Sequence, residues 1–218
     1  MHEFAMKYIA SLTSYPPRIE NCSYVIDSLQ ESSIPLTIEL NLSLLEFPRG
    51  VEDLPPALQH QVRARVVTIN WCEDNMGVFK KIIPTLKKYY GQDYVLFSMD
   101  DDRIYKKFYA QRMLDNLAGY DVYCCDKGIV GNRVVYNASI FKPMFWDNLS
   151  QDMISTGIDD TYITHYLRCV RAKCSFKDDP LVRNELELYN PVYGHTYPIA
   201  LQKRANILAA SCFKVSQK

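Results

Sequence analysis

The sequence predicts an α/β fold, a single domain whose mostly parallel central sheet is flanked by helices. Three observations carry that expectation. Strand-like and helix-like segments alternate through the first half of the chain. The strand-like segments are rich in Val, Ile and Leu, as strands covered by helices on both faces require. The length, 218 residues, suits one domain with a full hydrophobic core.

The elements follow in order. "KYIASLTS" (7–14) reads as a buried strand, and "YPPRI" after it as an extended loop, because two prolines forbid helix. In "NCSYVIDSLQES" (21–32), apolar positions 22, 25, 26 and 29 have helical spacing, with Asn21 as the N-cap. "LTIELNLSL" (36–44) alternates and returns to strand, and "FPRGVEDLPPALQHQV" is a loop, then a short helix after Pro56. "ARVVTINWC" (64–72) is the third strand. "NMGVFKKIIPTLKKYY" (75–90) is a helix that Pro84 kinks or restarts. "YVLFSM" (94–99) is the fourth strand, and "KKFYAQRMLDNLAG" (106–119) is a helix closed by Gly119. Beyond residue 120 the pattern is less regular, with strands, hairpins or bulges over "YDVYCC" and "GIVGNRVVYNASIF" in no fixed register. "DDTYITHYLRCVRAK" (159–173) is strongly periodic and opens on two acids that suit its N-terminal dipole. The tail holds the tyrosine-rich "LYNPVYGHTYP" and a helix-like "ALQKRANILAAS". No repeat, low-complexity tract or Gly/Ser linker divides residues 7–218. Residues 1–6 read as a leader, with "MHEFA" ahead of a natural start at Met6.

Composition excludes some functions. Lys plus Arg equals Asp plus Glu, 25 each, so the net charge is zero and no global attraction to nucleic acid or membrane is expected. A nuclease could use clustered aspartates, but no basic-aromatic stripe accompanies them here. The seven cysteines form no CxxC pair, which fits reduced thiols in a cytoplasmic setting better than disulfides or structural zinc. No apolar stretch approaches the ~18 residues that cross a bilayer.

The chemistry concentrates in "YVLFSMDDDRIY" (94–105). Ligands of open α/β sheets bind beyond the carboxyl ends of the strands, where Asp100, Asp101 and Asp102 fall. In an extended segment residues i and i+2 point the same way, so Asp100 and Asp102 can converge while Asp101 faces elsewhere. Two hard oxygen ligands suit Mg²⁺ or Mn²⁺, and a divalent ion relieves their repulsion. The alternative is a solvated loop with Asp102 capping the next helix. Asp159 and Asp160 in "TGIDDTY" are a general base or an acceptor-positioning pair, or else a helix cap. Gly157 before them lets backbone approach a substrate closely. Arg18, Lys80, Lys81, Arg103 and Arg133 lie near strand ends, as a diphosphate needs, and His195 is a candidate third metal ligand.

Taken together, "SLTSYPPRI", "TIELNLS", "FPRGVEDLP", "NWCEDNMGVFKKIIPTL" and "YVLFSMDDDRIY", in that order, resemble the GT-A glycosyltransferases whose bacterial and large-virus members open with SLTSYPxRI and reach a DDD motif. The resemblance covers about residues 7–105 and thins afterwards to "GIDDTYITHYL". It implies a nucleotide-binding half (7–105) and an acceptor-side half (106–218), in a chain short enough to be one domain of a longer protein. It implies a nucleotide-sugar donor, a UDP-sugar, a hydroxyl of a glycan or glycoprotein as acceptor, and Mn²⁺ or Mg²⁺ as cofactor. Thr13, Tyr15 and Arg18 would then face the nucleotide, with Asp74 and Lys80 or Lys81 lining the same pocket. Asp100 would reach the ribose and the metal's water shell, beside Asp101, and Asp102 would bind the metal. Asp159 or Asp160 would sit on the acceptor side, and His195 would complete the metal site. Two other functions compete: a nucleotidyltransferase, which the glycine-free "TSYPPRI" argues against, and a non-catalytic nucleotide- or sugar-binding module.

Overall fold

A computed structural model describes residues 6–125, 133–183, 186–188 and 199–213. The first half alternates as the sequence leads one to expect: β1 (Lys7–Thr13), α1 (Asn21–Gln30), β2 (Thr37–Ser43), α2 (Pro56–Arg63), β3 (Thr68–Cys72), α3 (Ile83–Lys88) and β4 (Tyr94–Ser98). The second half adds β5 (Arg103–Ile104), α4 (Tyr109–Leu117), β6 (Val122–Cys124), β7 (Val134–Asn137), α5 (Met144–Asp147), α6 (Gln151–Ile154), α7 (Asp159–Cys169), β8 (Cys174–Phe176), α8 (Pro180–Arg183), β9 (Leu186–Glu187) and α9 (Ile199–Cys212). One seven-stranded sheet runs β3-β2-β1-β4-β7-β6-β8, and β5 pairs with β9 separately. The strands β3, β2, β1 and β4 are mutually parallel. β7 runs antiparallel to both β4 and β6, while β6 and β8 are parallel. The sheet is therefore mostly parallel and flanked by helices.

Side-chain alternation along each strand builds a core on either face. Ala10, Leu12, Leu40 and Phe97 pack with Val25 and Ile26 of α1, Leu58 of α2 and Met113 of α4. Ile9, Leu96 and Tyr136 pack on the other face with Ile83 and Leu86 of α3, Tyr162 and Tyr166 of α7, and Ala205 of α9. Each fully buried aliphatic or aromatic side chain contributes about 1.5–3 kcal/mol.

Several local expectations change. Asn21 does not cap α1: the N-cap position is Glu20, already helical at φ −59°, and Asn21 is the first helical residue. The turn before it supplies the partners a cap would have supplied, since Asn21 N donates to Arg18 O and Cys22 N to Ile19 O. Segment 75–90 is split. A 3₁₀ turn, Gly77–Lys81, precedes α3, whose Pro84 sits in the first helical turn, where its missing N–H costs nothing. β3 begins only at Thr68, because Arg65 at φ 59° turns the chain first. α7 begins after an N-cap at Ile158, so neither Asp159 nor Asp160 is its cap. Gly157 has φ 64°, and a Cβ there would meet nothing within 4 Å, so it is required by the turn and not by close packing. His195 and the tyrosine-rich segment around it lie outside the described residues.

The alternation of β2 conceals the main surprise. Its polar residues do not face water: Glu39, Asn41 and Ser43 are as buried as Leu40 and Leu42 between them. Glu39 is met by Lys88 Nζ at 2.9 Å and by Asn70 Nδ2 at 2.8 Å, under the end of α3. Asn41 donates to Ser11 Oγ (3.0 Å) and accepts from Asn70 Nδ2 (2.8 Å). Ser11 in turn shares a hydrogen bond with Thr85 Oγ1 of α3 at 2.7 Å. The packing of α3 on β1 and β2 is thus a satisfied polar network. Asn41→Ala strands several of these groups and lowers stability by about 1–3 kcal/mol, measurable as a lower urea midpoint at unchanged slope.

Candidate active site

The four parallel strands end on one rim, at Thr13, Ser43, Cys72 and Ser98. The segments that follow bring Ser14, Tyr15 and Arg18 from the first, Glu46 from the second, Asn75 and Lys81 from the third, and the three aspartates from the fourth. Arg133, just before β7, joins the same rim, because Val134 pairs with Ser98.

The aspartate segment leaves β4 as a turn and not as continuing strand, so the three carboxylates fan out. Tyr105 anchors the turn: its hydroxyl accepts from Asp100 N at 2.7 Å, and its own N–H donates to Ser28 Oγ at 3.1 Å. Asp101 turns inward. It accepts from Ser14 Oγ at 2.5 Å and pairs with Arg18 Nη2, which also meets Asp102 Oδ2 at 2.9 Å. Burial pushes the Asp101 carboxyl up to about 6, against the opposing pull of Arg18 and the Ser14 hydrogen bond. Asp100 Oδ1 accepts from Lys81 Nζ at 2.7 Å. Burial would raise its pKa, but Lys81, followed by Arg103 and Arg18, outweighs burial and holds it below the ordinary aspartate value.

Asp100 and Asp102 do share a space. Arg103 Nε lies 3.3 Å from Asp100 Oδ2 and 3.9 Å from Asp102 Oδ1, so one cationic position already borders both carboxylates. Two hard-oxygen donors about one point fit Mg²⁺ or Mn²⁺, which bind through one or two carboxylates plus water and phosphate oxygens. Among the described residues no group of three or more His, Cys, Asp and Glu is arranged for a metal ion. Asp102 caps no helix, since the next element is β5 and the N-cap of α4 is Phe108.

The two lysines of the 3₁₀ turn point different ways. Lys80, almost fully buried, pairs with Glu46 and donates to Asn75 Oδ1 at 2.9 Å, joining the loops after β2 and β3. Lys81 alone of the two reaches Asp100. Its backbone is pinned from beneath, because Ser11 Oγ donates to Lys81 O at 2.5 Å and Asn41 Nδ2 at 3.3 Å. Burial disfavours its charge, yet Asp100, then Asp159, then Asp160 raise its pKa. Asp159, at the first position of α7, is half-buried; its carboxyl is raised by burial and by Asp100 against the opposing charge of Lys81. Lys81 therefore stands electrostatically between the acidic turn and α7.

Of the remaining candidates, Thr13 donates to Asn41 O at 2.7 Å, the Tyr15 ring lies 5.8 Å from the Arg18 guanidinium carbon, and Asp74 is exposed on the loop after β3. A cleft of about 520 Å³ opens between the loops after β1 and β2, lined by Pro16, Ile19, Glu20, Glu46, Phe47, Asp53 and Leu54 among others. Nothing in the sequence marks Ser14, Tyr105 or Glu46 as part of the site. Their role is to hold charged neighbours that are remote in sequence, which local spacing does not reveal.

No protein-family model matches the chain, and no curated protein matches it by sequence. Solved structures do match. S. aureus TarS aligns with a TM-score of 0.52 at 14% identity, over 80% of this chain and 35% of TarS. The mannosyltransferase PcManGT from Pyrobaculum calidifontis, solved with GDP-Man and Mn²⁺, aligns with a TM-score of 0.56 at 13% identity, over 81% of this chain and 56% of its own. The chain thus spans roughly a third of one neighbour and just over half of the other. At such identities the likeness concerns architecture, and the architecture it identifies is the GT-A fold.

Proposed function

We propose that this chain is a metal-dependent glycosyltransferase, moving a sugar from a nucleotide-sugar to a hydroxyl of a glycan acceptor. The observation that carries the proposal is the rim itself, where Asp100 and Asp102 border one cation position and Lys81 pairs with Asp100 within reach of the charge of Asp159. The fold supports it, since both neighbours above share the architecture and one of them was solved with a nucleotide-sugar and Mn²⁺.

In this proposal Asp100 and Asp102 hold the ion, with His195 kept as a candidate third ligand. Thr13, Tyr15, Arg18 and Asp74 border the nucleotide, with Lys80 bracing the loops beneath it. When bound, Mn²⁺ or Mg²⁺ neutralises charge on the departing nucleoside diphosphate. Lys81 fixes Asp100 toward the donor and keeps a positive charge near the leaving side. Asp101 serves as the buried anchor of Arg18. Asp159 or Asp160 takes the proton of the acceptor hydroxyl in an inverting reaction. Asp159 is favoured, because it interacts more strongly with Lys81 than Asp160 does. A general base must be ionised to act, so activity falls as pH drops through its pKa. Burial raises the pKa of Asp159, which places this acid limb above the ordinary aspartate range. Asp159→Asn lowers kcat by about 10²–10⁴-fold and removes the limb from the pH–rate profile, whereas Asp160→Asn leaves the limb in place.

The donor base is the finer part of the proposal. The sequence resemblance favours a UDP-sugar. A thermal-shift panel of UDP- and GDP-sugars, each with and without Mn²⁺, tests donor and metal together: a binder at 100 times its Kd stabilises by about 2.7 kcal/mol. Stabilisation by one donor only with Mn²⁺ supports the proposal, and equal response with and without metal contradicts it. Released nucleoside diphosphate marks transfer or hydrolysis. Pyrophosphate would mark nucleotidyl transfer, and neither product a binding module.

A further inference from the structure

The acidic turn is already neutralised from within. Three carboxylates at residues 100–102 meet three cations of the same chain: Lys81 on Asp100, Arg103 between Asp100 and Asp102, and Arg18 on Asp101 and Asp102. A bare dication approaching Asp102 meets Arg18 already paired with that ligand. One of the cations has to give way.

Their tethering singles out which one. The backbone of Lys81 is pinned by the hydrogen bonds of Ser11 and Asn41 to its carbonyl, and its side chain pairs with Asp100 at 2.7 Å. Arg103 is the first residue of β5, adjacent in sequence to the aspartates. Arg18 comes from the separate loop between β1 and α1, and its neighbours Pro16 and Ile19 line the 520 Å³ cleft. That loop is not part of the acidic turn, so Arg18 can leave Asp102 without moving the turn itself. Asp101 can remain the anchor of Arg18 while Asp102 is released, and Ser14 Oγ also donates to Asp101 at 2.5 Å.

We propose that Arg18 is a placeholder cation. It occupies Asp102 until a divalent ion arrives with a diphosphate, then moves from the carboxylate to the diphosphate as the ion takes its place. This deepens the function proposed above and rests on Asp100 and Asp102 being metal ligands. No bond is made or broken; charge partners are exchanged. The exchange makes the two ligands mutually dependent. A metal ion alone must displace Arg18 from Asp102 with no diphosphate to receive it, and a diphosphate alone finds Arg18 engaged by two aspartates. By linkage, each ligand tightens the other by the same factor.

The test is calorimetric titration of Mn²⁺ into the full chain, alone and with UDP or GDP present, for wild type, Arg18→Gln, Arg18→Lys and Asp102→Asn. In wild type a nucleoside diphosphate is expected to tighten Mn²⁺ by about tenfold or more, within the usual range of coupling between sites. In Arg18→Gln, Mn²⁺ alone binds about tenfold more tightly than in wild type, and the coupling shrinks toward unity. Arg18→Lys keeps the charge on a shorter side chain, so it holds the two aspartates less closely and falls between; it decides the matter if the glutamine variant does not fold. Arg18 variants with wild-type Mn²⁺ affinity and undiminished coupling overturn the placeholder role alone, provided Asp102→Asn abolishes Mn²⁺ binding. Survival of Mn²⁺ binding in Asp102→Asn overturns the metal-ligand assignment itself, and the placeholder with it.

Discussion

Asp102→Ala is expected to lower sugar transfer by at least about 10³-fold, roughly 4 kcal/mol of transition-state stabilisation, and to abolish the Mn²⁺-dependent part of donor binding. The protein is expected to remain folded, for reasons visible around the residue. The hydrogen bond from Leu188 N to Asp102 is to its carbonyl, at 2.6 Å, and alanine retains it. Each cation that loses the carboxylate keeps another: Arg18 still has Asp101, and Arg103 still lies 3.3 Å from Asp100 Oδ2. Thermal unfolding and a transfer assay on one preparation separate the two effects. Near-wild-type turnover of the variant with Mn²⁺ present would remove Asp102 from the chemistry.

Lys81→Met has a different signature, because it damages the fold and the site together. The side chain pairs with Asp100 at 2.7 Å, the charge of Asp159 also bears on it, and Asp100 is only 13% exposed at its side chain. Without the ammonium, Asp100 and Asp159 both lose the cation that favours their charged forms. Breaking such a pair costs about 3–5 kcal/mol. The pH dependence identifies the cause. Asp100 titrates below its ordinary value in the wild type, so its contribution is present at neutral pH and is lost as pH falls through the folded-state value. Lys81 titrates above its ordinary value, so its contribution persists through neutral pH and fades only in strong alkali. The stability gap between wild type and Lys81→Met, measured by urea unfolding, is therefore expected to be full at pH 7 and to narrow below about pH 4. A gap that stays constant with pH would mean that lost packing, not charge, is responsible.

The sequence announced the architecture because its signals are local. Hydrophobic periodicity, two prolines after the first strand and acids at the end of the fourth strand are all read within a dozen residues, and the structure places their elements as expected. The polar face of β2 shows where this reading fails. Glu39, Asn41 and Ser43 alternate with leucines as a solvent-facing row would, yet Lys88, Asn70, Ser11 and Thr85 cover them from segments tens of residues away. The split at residue 82 was half visible in Pro84. The choice between Lys80 and Lys81 was not, because adjacent residues on a tight turn diverge according to what lies beneath, here Glu46 for one and Asp100 for the other. The pairing of Asp100 with Asp102 assumed an extended chain. The chain turns instead, and what brings these two carboxylates to one point is their common neighbour Arg103.

Diffraction at the manganese edge from crystals of the full chain, grown with Mn²⁺ and either UDP or GDP, tests the central claim most directly. An anomalous peak is expected within coordination distance of both Asp100 and Asp102, with the diphosphate on the Arg18 side of the ion. A peak away from both aspartates, or a nucleotide seated with its diphosphate remote from them, would contradict it.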